Sequence, residues 1–326
     1  MNTALNSERK GEGMELSFVW EEKEGGVSLL GVYGDTPSPV IPDRIENRPV
    51  IEIGRYCFAP DGREPEKAHK TGHFDGGRRI DGSFVESVWL PDGVKILDNA
   101  AFYNCRALHS LSVGTAIGAV GSDLFTNCWE LEKLVVRGRV DGESGLKKLL
   151  AVISSDLTVC FGQDGEGPRL FYPEYFESMD ENTPAHIFNY SISGQGYRYR
   201  QCFTAGGGVS LADYDRVFPV ALPGETVRTL CLIGCYRVAF PDVLTDEAKK
   251  QYLDFLSGHL TELAGLLVQM RDTLLLERLA ANGAAGRELL ALISHQAAAT
   301  GWNEGAAAAG ELTHRYFGKK KKEYTF

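Results

Sequence analysis

Few residues of this chain are spaced for chemistry. His69 and His73 stand four apart in KAHKTGHF, which on a helix would aim two imidazoles at one cation. Metal sites recruit Cys, His or carboxylate ligands in threes or fours, and no Glu lies between these two and no third ligand is obvious. Cys231 and Cys235 form C-x3-C in TLCLIGCYRV without a second pair, which reads as buried thiols behaving as small apolar groups. The stretch SGQGYRYR at 193–200 sets Gly-x-Gly beside Arg198 and Arg200, backbone and guanidinium donors of the kind that hold an anion. It has neither the G-K-[ST] of a phosphate loop nor the third glycine of a dinucleotide fingerprint. A strand turn with both arginines on one face is the competing reading. No G-x-S-x-G, H-E-x-x-H or paired C-x-x-C occurs, and GGG at 206–208 reads as a turn. No catalytic residue, no metal and no cofactor is therefore predicted.

Composition narrows the class. The chain has 326 residues, 43% hydrophobic and 24% charged, close to globular averages and long enough for two or three domains. A net charge of -10 opposes nucleic-acid binding, which is driven by Lys and Arg releasing counterions. The only dense basic tract, Lys319 to Lys322, reads as a solvated tail. No apolar run approaches the roughly 20 residues that span a bilayer, so no membrane span is expected. The first residues, MNTALNSERKGEGMELSF, lack the apolar core of a signal peptide. Seven scattered cysteines do not make a secreted disulfide framework. Both observations predict a reducing cytoplasm, with export the alternative if a leader has been removed.

The elements that would carry any site are legible in a repeat. AFYNCRALHSLSV begins at residue 101, and LFTNCWELEKLVV follows 23 residues on from its Phe-containing start. Phe102, Asn104 and Cys105 align with Phe125, Asn127 and Cys128, and Leu108, Leu111 and Val113 with Leu131, Leu134 and Val136. One period earlier stand Val85, Val88 and Leu90. Upstream, Val50, Val94 and Ile117 align, then Ile53, Leu97 and Val120, then Phe58, Phe102 and Phe125. Phe58 and Phe102 are 44 apart, one period plus the 21-residue insertion PDGREPEKAHKTGHFDGGRRI, whose Gly, Pro and charge mark a loop.

A period within about 20–29 residues around L-x-x-L-x-L is that of a leucine-rich repeat. Each unit is too small to bury its own apolar side, and stacking builds a continuous core. Residues 85–90, 108–113 and 131–136 are thus predicted to be adjacent parallel strands. Phe58, Phe102 and Phe125 should form an inner ladder, and Asn104 and Asn127 should bond the turn backbone. Cys105 and Cys128 should stand about 4.8 Å apart as ladder neighbours. Side by side they meet the disulfide dihedral poorly, so two free, buried thiols are predicted.

The phrases IPDRIENRPVIEIGRYCF at 41–58, VWLPDGVKILDNAAFYNC at 88–105 and VGSDLFTNC at 120–128 resemble the BspA-like leucine-rich repeats of bacteria and some protists. That family's pattern is close to I-P-x-x-V-x-x-I-G-x-x-A-F-x-x-C-x-x-L. The resemblance covers about residues 40–138 and implies a short solenoid that binds other molecules, with surface adhesion among the roles of secreted members.

The flanks are read from pattern alone. Leu16, Phe18 and Trp20 alternate with polar neighbours, EEKEGG turns the chain and VSLLGVY returns it, predicting a hairpin at 14–34 that caps the solenoid. After Arg137 the period is lost. SGLKKLLAVI predicts a short helix with Ser144 near its start, DLTVCF a strand, and the aromatic, Gly- and Pro-rich remainder to 244 an irregular module. Thr245, Asp246 and Glu247 predict a helix start. Leu253, Leu256, Leu260, Leu263 and Leu267 then predict an apolar helix face. Two further helices end at glycines, and a last one covers about 302–317. The fold class is α+β. Its expected order is a disordered N-terminus (1–13), a capped solenoid (14–140), an α+β module (141–244), C-terminal helical hairpins (245–318) resembling ankyrin-type or HEAT-type arrays, and a basic tail (319–326).

This arrangement predicts a non-enzymatic interaction or scaffold protein that takes a protein partner on the solenoid strand face. In L-x-x-L-x-L the intervening positions face outward. They are Glu86, Ser87 and Trp89, then His109, Ser110 and Ser112, then Glu132, Lys133 and Val135. The candidate binding residues are Ser87, Trp89, His109, Ser110, Ser112, Lys133 and Val135. Trp89 is either covered by the insertion at 59–79 or left for a ligand. Two other readings compete: an enzyme or nucleotide- or anion-binding protein with its site in 140–244, Arg198 and Arg200 included, and a surface or secreted adhesin.

Overall fold

The computed structural model describes residues 16–60, 62, 64–74, 77–182 and 186–318. The expected disordered N-terminus at 1–13, the start of the hairpin at 14–15 and the basic tail at 319–326 lie outside the described residues. The chain divides into two compact units. The first runs to Gly167 and includes Phe203–Gly208; the second comprises Pro168–Cys202 and the chain from Val209 onward.

In the first unit, β1 (Ser17–Lys23) and β2 (Gly26–Gly34) form an antiparallel hairpin. Then come β3 (Arg44–Ile45), β4 (Arg48–Ile53), β5 (His69–Thr71), β6 (Arg78–Arg79), β7 (Ser87–Trp89), β8 (Ile96–Leu97), β9 (Ser110–Val113), β10 (Ala119–Val120) and β11 (Lys133–Val136). A short helix α1 (Leu146–Leu150) precedes β12 (Leu157–Phe161). The chain alternates between two sheets, each repeat placing one short strand in each. In one sheet β4, β8 and β10 run parallel, with Ile53, Leu97 and Val120 in register. In the other β7, β9, β11 and β12 run parallel, with Val88, Leu111, Leu134 and Val159 in register. β2 lies parallel to β4, so the hairpin pairs an edge that would otherwise be open. The insertion returns as β5 against β1, where His69 stacks on Trp20 with ring centroids 4.4 Å apart.

The aromatic ladder fills the space between the sheets. Phe58 and Phe102 stack at 5.0 Å, and Phe102 and Phe125 at 5.6 Å. Phe58 and Phe102 are fully buried, whereas Phe125 is half-buried; one period further on stands Lys148, so no fourth ring covers it. The asparagines differ from expectation. Asn127 Nδ2 donates to Asn104 Oδ1 at 2.7 Å, a side-chain ladder, and both residues hold left-handed backbone (φ 61° and 63°). Asn fits there because it tolerates that region better than other residues with a Cβ. The adjoining thiols also repeat: Cys105 Sγ donates to the Phe58 carbonyl at 3.1 Å, and Cys128 Sγ to the Phe102 carbonyl at 2.9 Å. The neighbouring Cys128 thiol and burial push the Cys105 thiol upward. All seven cysteines are buried free thiols.

The stack does not stop at 140. β12 pairs with β11 from Lys133↔Thr158 to Val136↔Phe161, a step of 25 residues rather than 23. The return segment here carries α1, where Ser144 Oγ accepts from the Leu146 N–H at 3.4 Å. That helix changes the step, so a search at fixed period ends one strand early.

The second unit contains β13 (Arg169–Tyr172), an antiparallel ribbon of β14 (Phe176–Asn182) and β15 (Ile187–Ser193), and helices α2 (Gly196–Tyr199), α3 (Leu211–Ala221), α4 (Val227–Ala239), α5 (Asp246–Gly258), α6 (Leu260–Met270), α7 (Thr273–Ala281), α8 (Arg287–Ala299) and α9 (Asn303–Phe317). α4 is buried from Thr229 to Ala239 and packs against β13, α5, α6 and α7. A helix buried on every side is the centre of its unit, so no boundary falls at 244. Thr245 caps α5 by accepting from the Ala248 N–H at 3.2 Å. The leucine face runs across a break at His259 between α5 and α6, with Leu256, Leu263 and Leu267 buried. Gly283 and Gly301, just past α7 and α8, adopt left-handed backbone, as C-terminal glycines do. α9 packs on α8 and α7, and α8 on α6.

Buried polar groups knit this core. Arg237 donates from Nε to Asp215 Oδ1 at 2.7 Å and from Nη2 to Oδ2 at 2.9 Å. Tyr252 donates to the same carboxylate at 2.8 Å. Arg237 Nη1 and Nη2 also donate to the Phe240 and Asp242 carbonyls. The pair is thus bidentate and backed by further hydrogen bonds on both partners, the condition under which a buried ion pair is tolerated.

Candidate functional site

Strand pairing decides which predicted face residues meet. Ser87, Ser110 and Lys133 form one cross-strand row, and Trp89, Ser112 and Val135 the next. All six line one cleft of about 200 Å³, together with Pro39, Val40 and Asp164. His109 does not line it: it is exposed just before β9, where its carbonyl accepts from the Glu132 and Lys133 N–H groups. The face is also less open than the pattern implied. Ser112 is only 5% and Val135 only 8% exposed. The turn after β12 explains Val135, because a Cβ on Gly165 would lie 3.3 Å from its Cγ1.

Ser112 is buried by a residue that the sequence reading passed over. Arg137 follows β11, and its side chain runs back under the face. Nη1 donates to Ser112 Oγ at 2.6 Å, Nε donates to Asp92 Oδ1 at 2.7 Å, and Nη2 donates to the Leu90 carbonyl. Its guanidinium lies 4.6 Å from the Trp89 ring centroid, a cation–π contact made without access to water. Arg137 therefore ties together the ends of the three repeat strands. The available signal was the register: one period earlier the same position is Gly114, so an arginine there is out of pattern.

Trp89 is half-buried, and the insertion is not its cover. Val40 bridges to it, the Trp89 N–H donates to the Pro39 carbonyl at 3.0 Å, and the Ile41 N–H donates to the Trp89 carbonyl at 2.9 Å. The 37–41 segment thus adds an edge to the sheet beside β7. The insertion covers Trp20 instead.

The other candidates are dispersed. Arg198 and Arg200 do not share a face, because 196–199 is a helical turn and not a strand turn. Arg198 is exposed, with Nε on Gln195 Oε1 at 2.8 Å. Arg200 is buried and donates from Nη1 to the Pro173 and Gly196 carbonyls. A guanidinium holding backbone carbonyls in this way is a structural clamp, which removes the basis for an anion site there. His69 lies on β5 and His73 beyond the turn at Gly72 (φ 107°), so a helical i, i+4 geometry does not arise. Among the described residues no group of three or more His, Cys, Asp or Glu stands together as metal ligands. Cys231 and Cys235 are buried in α4.

No helix among the described residues is long and apolar enough to cross a membrane. No curated protein and no solved structure matches the chain. One family does match, over the residues that carry β7 to β11, and its description agrees with the stacked geometry there. The model of that family, the BspA type leucine rich repeat region (6 copies), matches residues 81–142.

Proposed function

We propose that the chain is a non-enzymatic interaction protein that takes a protein partner on the strand face of its first unit. Leucine-rich repeats generally mediate protein–protein interaction, using the extended surface that stacked strands present. The observation that supports the reading is Trp89, a half-buried indole in the cleft, fixed from within by the Arg137 guanidinium at 4.6 Å. A rigidly held Trp with polar surroundings, here on the end strand of the sheet, is a common anchor of an interface. Ser87 and Ser110 offer hydroxyls beside it, and Lys133 is exposed at the rim. Ser112 and Val135 support these groups from below, and His109 extends the rim. The seven buried thiols suit a reducing compartment, so the partner is expected there.

The test is affinity purification of the tagged chain from its native host, followed by mass spectrometry. One protein should be retained by the wild type and lost from both Trp89→Ala and Lys133→Glu, with unchanged melting of Lys133→Glu. Retention of the same partners by both variants would overturn the reading.

A further inference from the structure

A second surface lies in the second unit, on the ribbon of β14 and β15. The two strands form a sheet of their own among the described residues. Cross-strand partners share a face. One face therefore carries Met179 opposite Tyr190, Glu177 opposite Ile192 and Glu181 opposite Phe188. The other carries Ser178 opposite Ser191, their hydroxyls 2.7 Å apart, Asp180 opposite Asn189 and, at the end of the ribbon, one exposed aromatic, Phe176 opposite Ser193. Apolar bulk is concentrated on the first face, and it stands in water: Met179 is 68%, Phe188 58% and Tyr190 59% exposed. A lone two-stranded ribbon is marginal in water, because stability normally comes from a third strand or from packing of one face. A contiguous apolar patch of this kind marks an interaction surface.

Charge selects the occupant. Residues 173–193 contain four carboxylates, Glu174, Glu177, Asp180 and Glu181, and no Lys or Arg. Two of them border the apolar patch. The Tyr190 hydroxyl is hydrogen-bonded to Glu177, and His186 Nδ1 lies 2.7 Å from Glu181 Oε1. A second copy laid face to face would bring Glu177 and Glu181 of both chains together, and an anionic lipid surface would be repelled in the same way. Lysine or arginine side chains would instead meet two exposed carboxylates with no Lys or Arg in the ribbon beside them, while apolar neighbours cover Met179, Phe188 and Tyr190.

We infer that the apolar face of the β14–β15 ribbon docks an extended polypeptide segment of another protein in which apolar residues and Lys or Arg take turns on the one side that faces the ribbon. Such a segment lies along the ribbon with its apolar side chains on Met179, Phe188, Tyr190 and Ile192. Its basic side chains reach Glu177 and Glu181. This surface is independent of the solenoid strand face.

The experiment uses the full chain and three short synthetic peptides in which every second residue is in turn Val or Phe and then Lys, Ser or Glu, with Thr between them, so that the apolar and variable side chains share one side. Binding is read by fluorescence anisotropy. The Lys peptide should bind about tenfold or more tighter than the Glu peptide, since like charge at a rim is penalised and opposite charge favoured. Its affinity should fall about tenfold in Glu177→Gln/Glu181→Gln, which keeps every apolar side chain, and weaken as salt screens the pair. Met179→Ser/Tyr190→Ser should also lose it, with the melting of the chain unchanged. Absent Lys-peptide binding, equal binding of the Glu peptide, or wild-type affinity in Glu177→Gln/Glu181→Gln would overturn the inference. Loss of binding in Trp89→Ala alone would move the peptide to the solenoid and also overturn it. So would a wild-type dimer, or binding to phosphatidylserine vesicles, that disappears in Met179→Ser/Tyr190→Ser.

Discussion

Phe102 and Asp215 lie at the centres of two units that are held together differently. Phe102 belongs to a series, with Phe58 on one side and Phe125 on the other, and its neighbours Asn104 and Cys105 repeat in step. Asp215 belongs to no series. It accepts from Arg237 and Tyr252 at the middle of a helical core and has no counterpart among the described residues of its unit. A stacked unit spreads its stability over equivalent contacts between neighbours. The helical unit concentrates part of it in one hydrogen-bonded polar cluster, where each group is tolerated only because the others are present. The first kind of order should fail gradually along the stack, the second all at once.

Removing one partner of the cluster tests that contrast at its strongest. Asp215→Ala leaves the Arg237 guanidinium buried without its carboxylate, and should cost about 3–5 kcal/mol. Replacing both residues by apolar side chains of similar volume should recover much of the loss in chemical denaturation. If the double variant is no better than Asp215→Ala, the cluster is not the focal point described. Phe102→Ala opens a cavity between Phe58 and Phe125, and should cost about 3–5 kcal/mol. The loss should fall on the first unit, with hydrogen exchange rising along the stacked strands before it rises in α4. A loss below about 1 kcal/mol would contradict the ladder.

Smaller changes sharpen the comparison at single elements. Gly121 is needed where two turns stack, because a Cβ there would lie 2.4 Å from the Asn99 backbone nitrogen, and Asn99 Oδ1 already holds the Ser122 N–H at 2.8 Å. Gly121→Ala should therefore destabilise by about 1–3 kcal/mol through overpacking. Thr245→Ala removes a helix cap that has no role in any ladder, and should cost about 1 kcal/mol. Both are read from denaturation midpoints.

The thiols supply a pH test with a definite sign. Burial pushes Cys202 and Cys231 of the second unit up to about 12 from an ordinary value of 9.0. A folded pKa above the unfolded one favours the neutral thiol in the fold. This contribution is fully present below pH 9 and is lost as pH rises from 9 through 12. The melting temperature should fall over that range, and Cys202→Ala/Cys231→Ala should flatten the fall. A profile unchanged in the double variant would place the alkaline sensitivity elsewhere.

The difference between the units also explains what was legible before folding. The sequence by itself determined the stacked strands, because a repeat prints its register: once Leu111 aligns with Leu134, the pairing of β9 with β11 follows. The same register determined the phenylalanine ladder, and the Thr245 cap and the glycine stops at Gly283 and Gly301 were legible because they depend on neighbours close along the chain. It also brought Ser87, Trp89, Ser110, Ser112, Lys133 and Val135 to one face, since alternate positions on aligned strands share a side. Only the tertiary structure decided which of them stay accessible, because burial of Ser112 and Val135 depends on Arg137 and on the turn at Gly165, neither of which is part of the repeating pattern. It also decided that β12 joins the stack at a step of 25, that α4 joins the aromatic middle to the C-terminal helices, and that Arg200 turns inward to carbonyls. Each of these rests on contacts between segments far apart in the chain, whose free energy comes from groups meeting in space and leaves no period or local spacing to read.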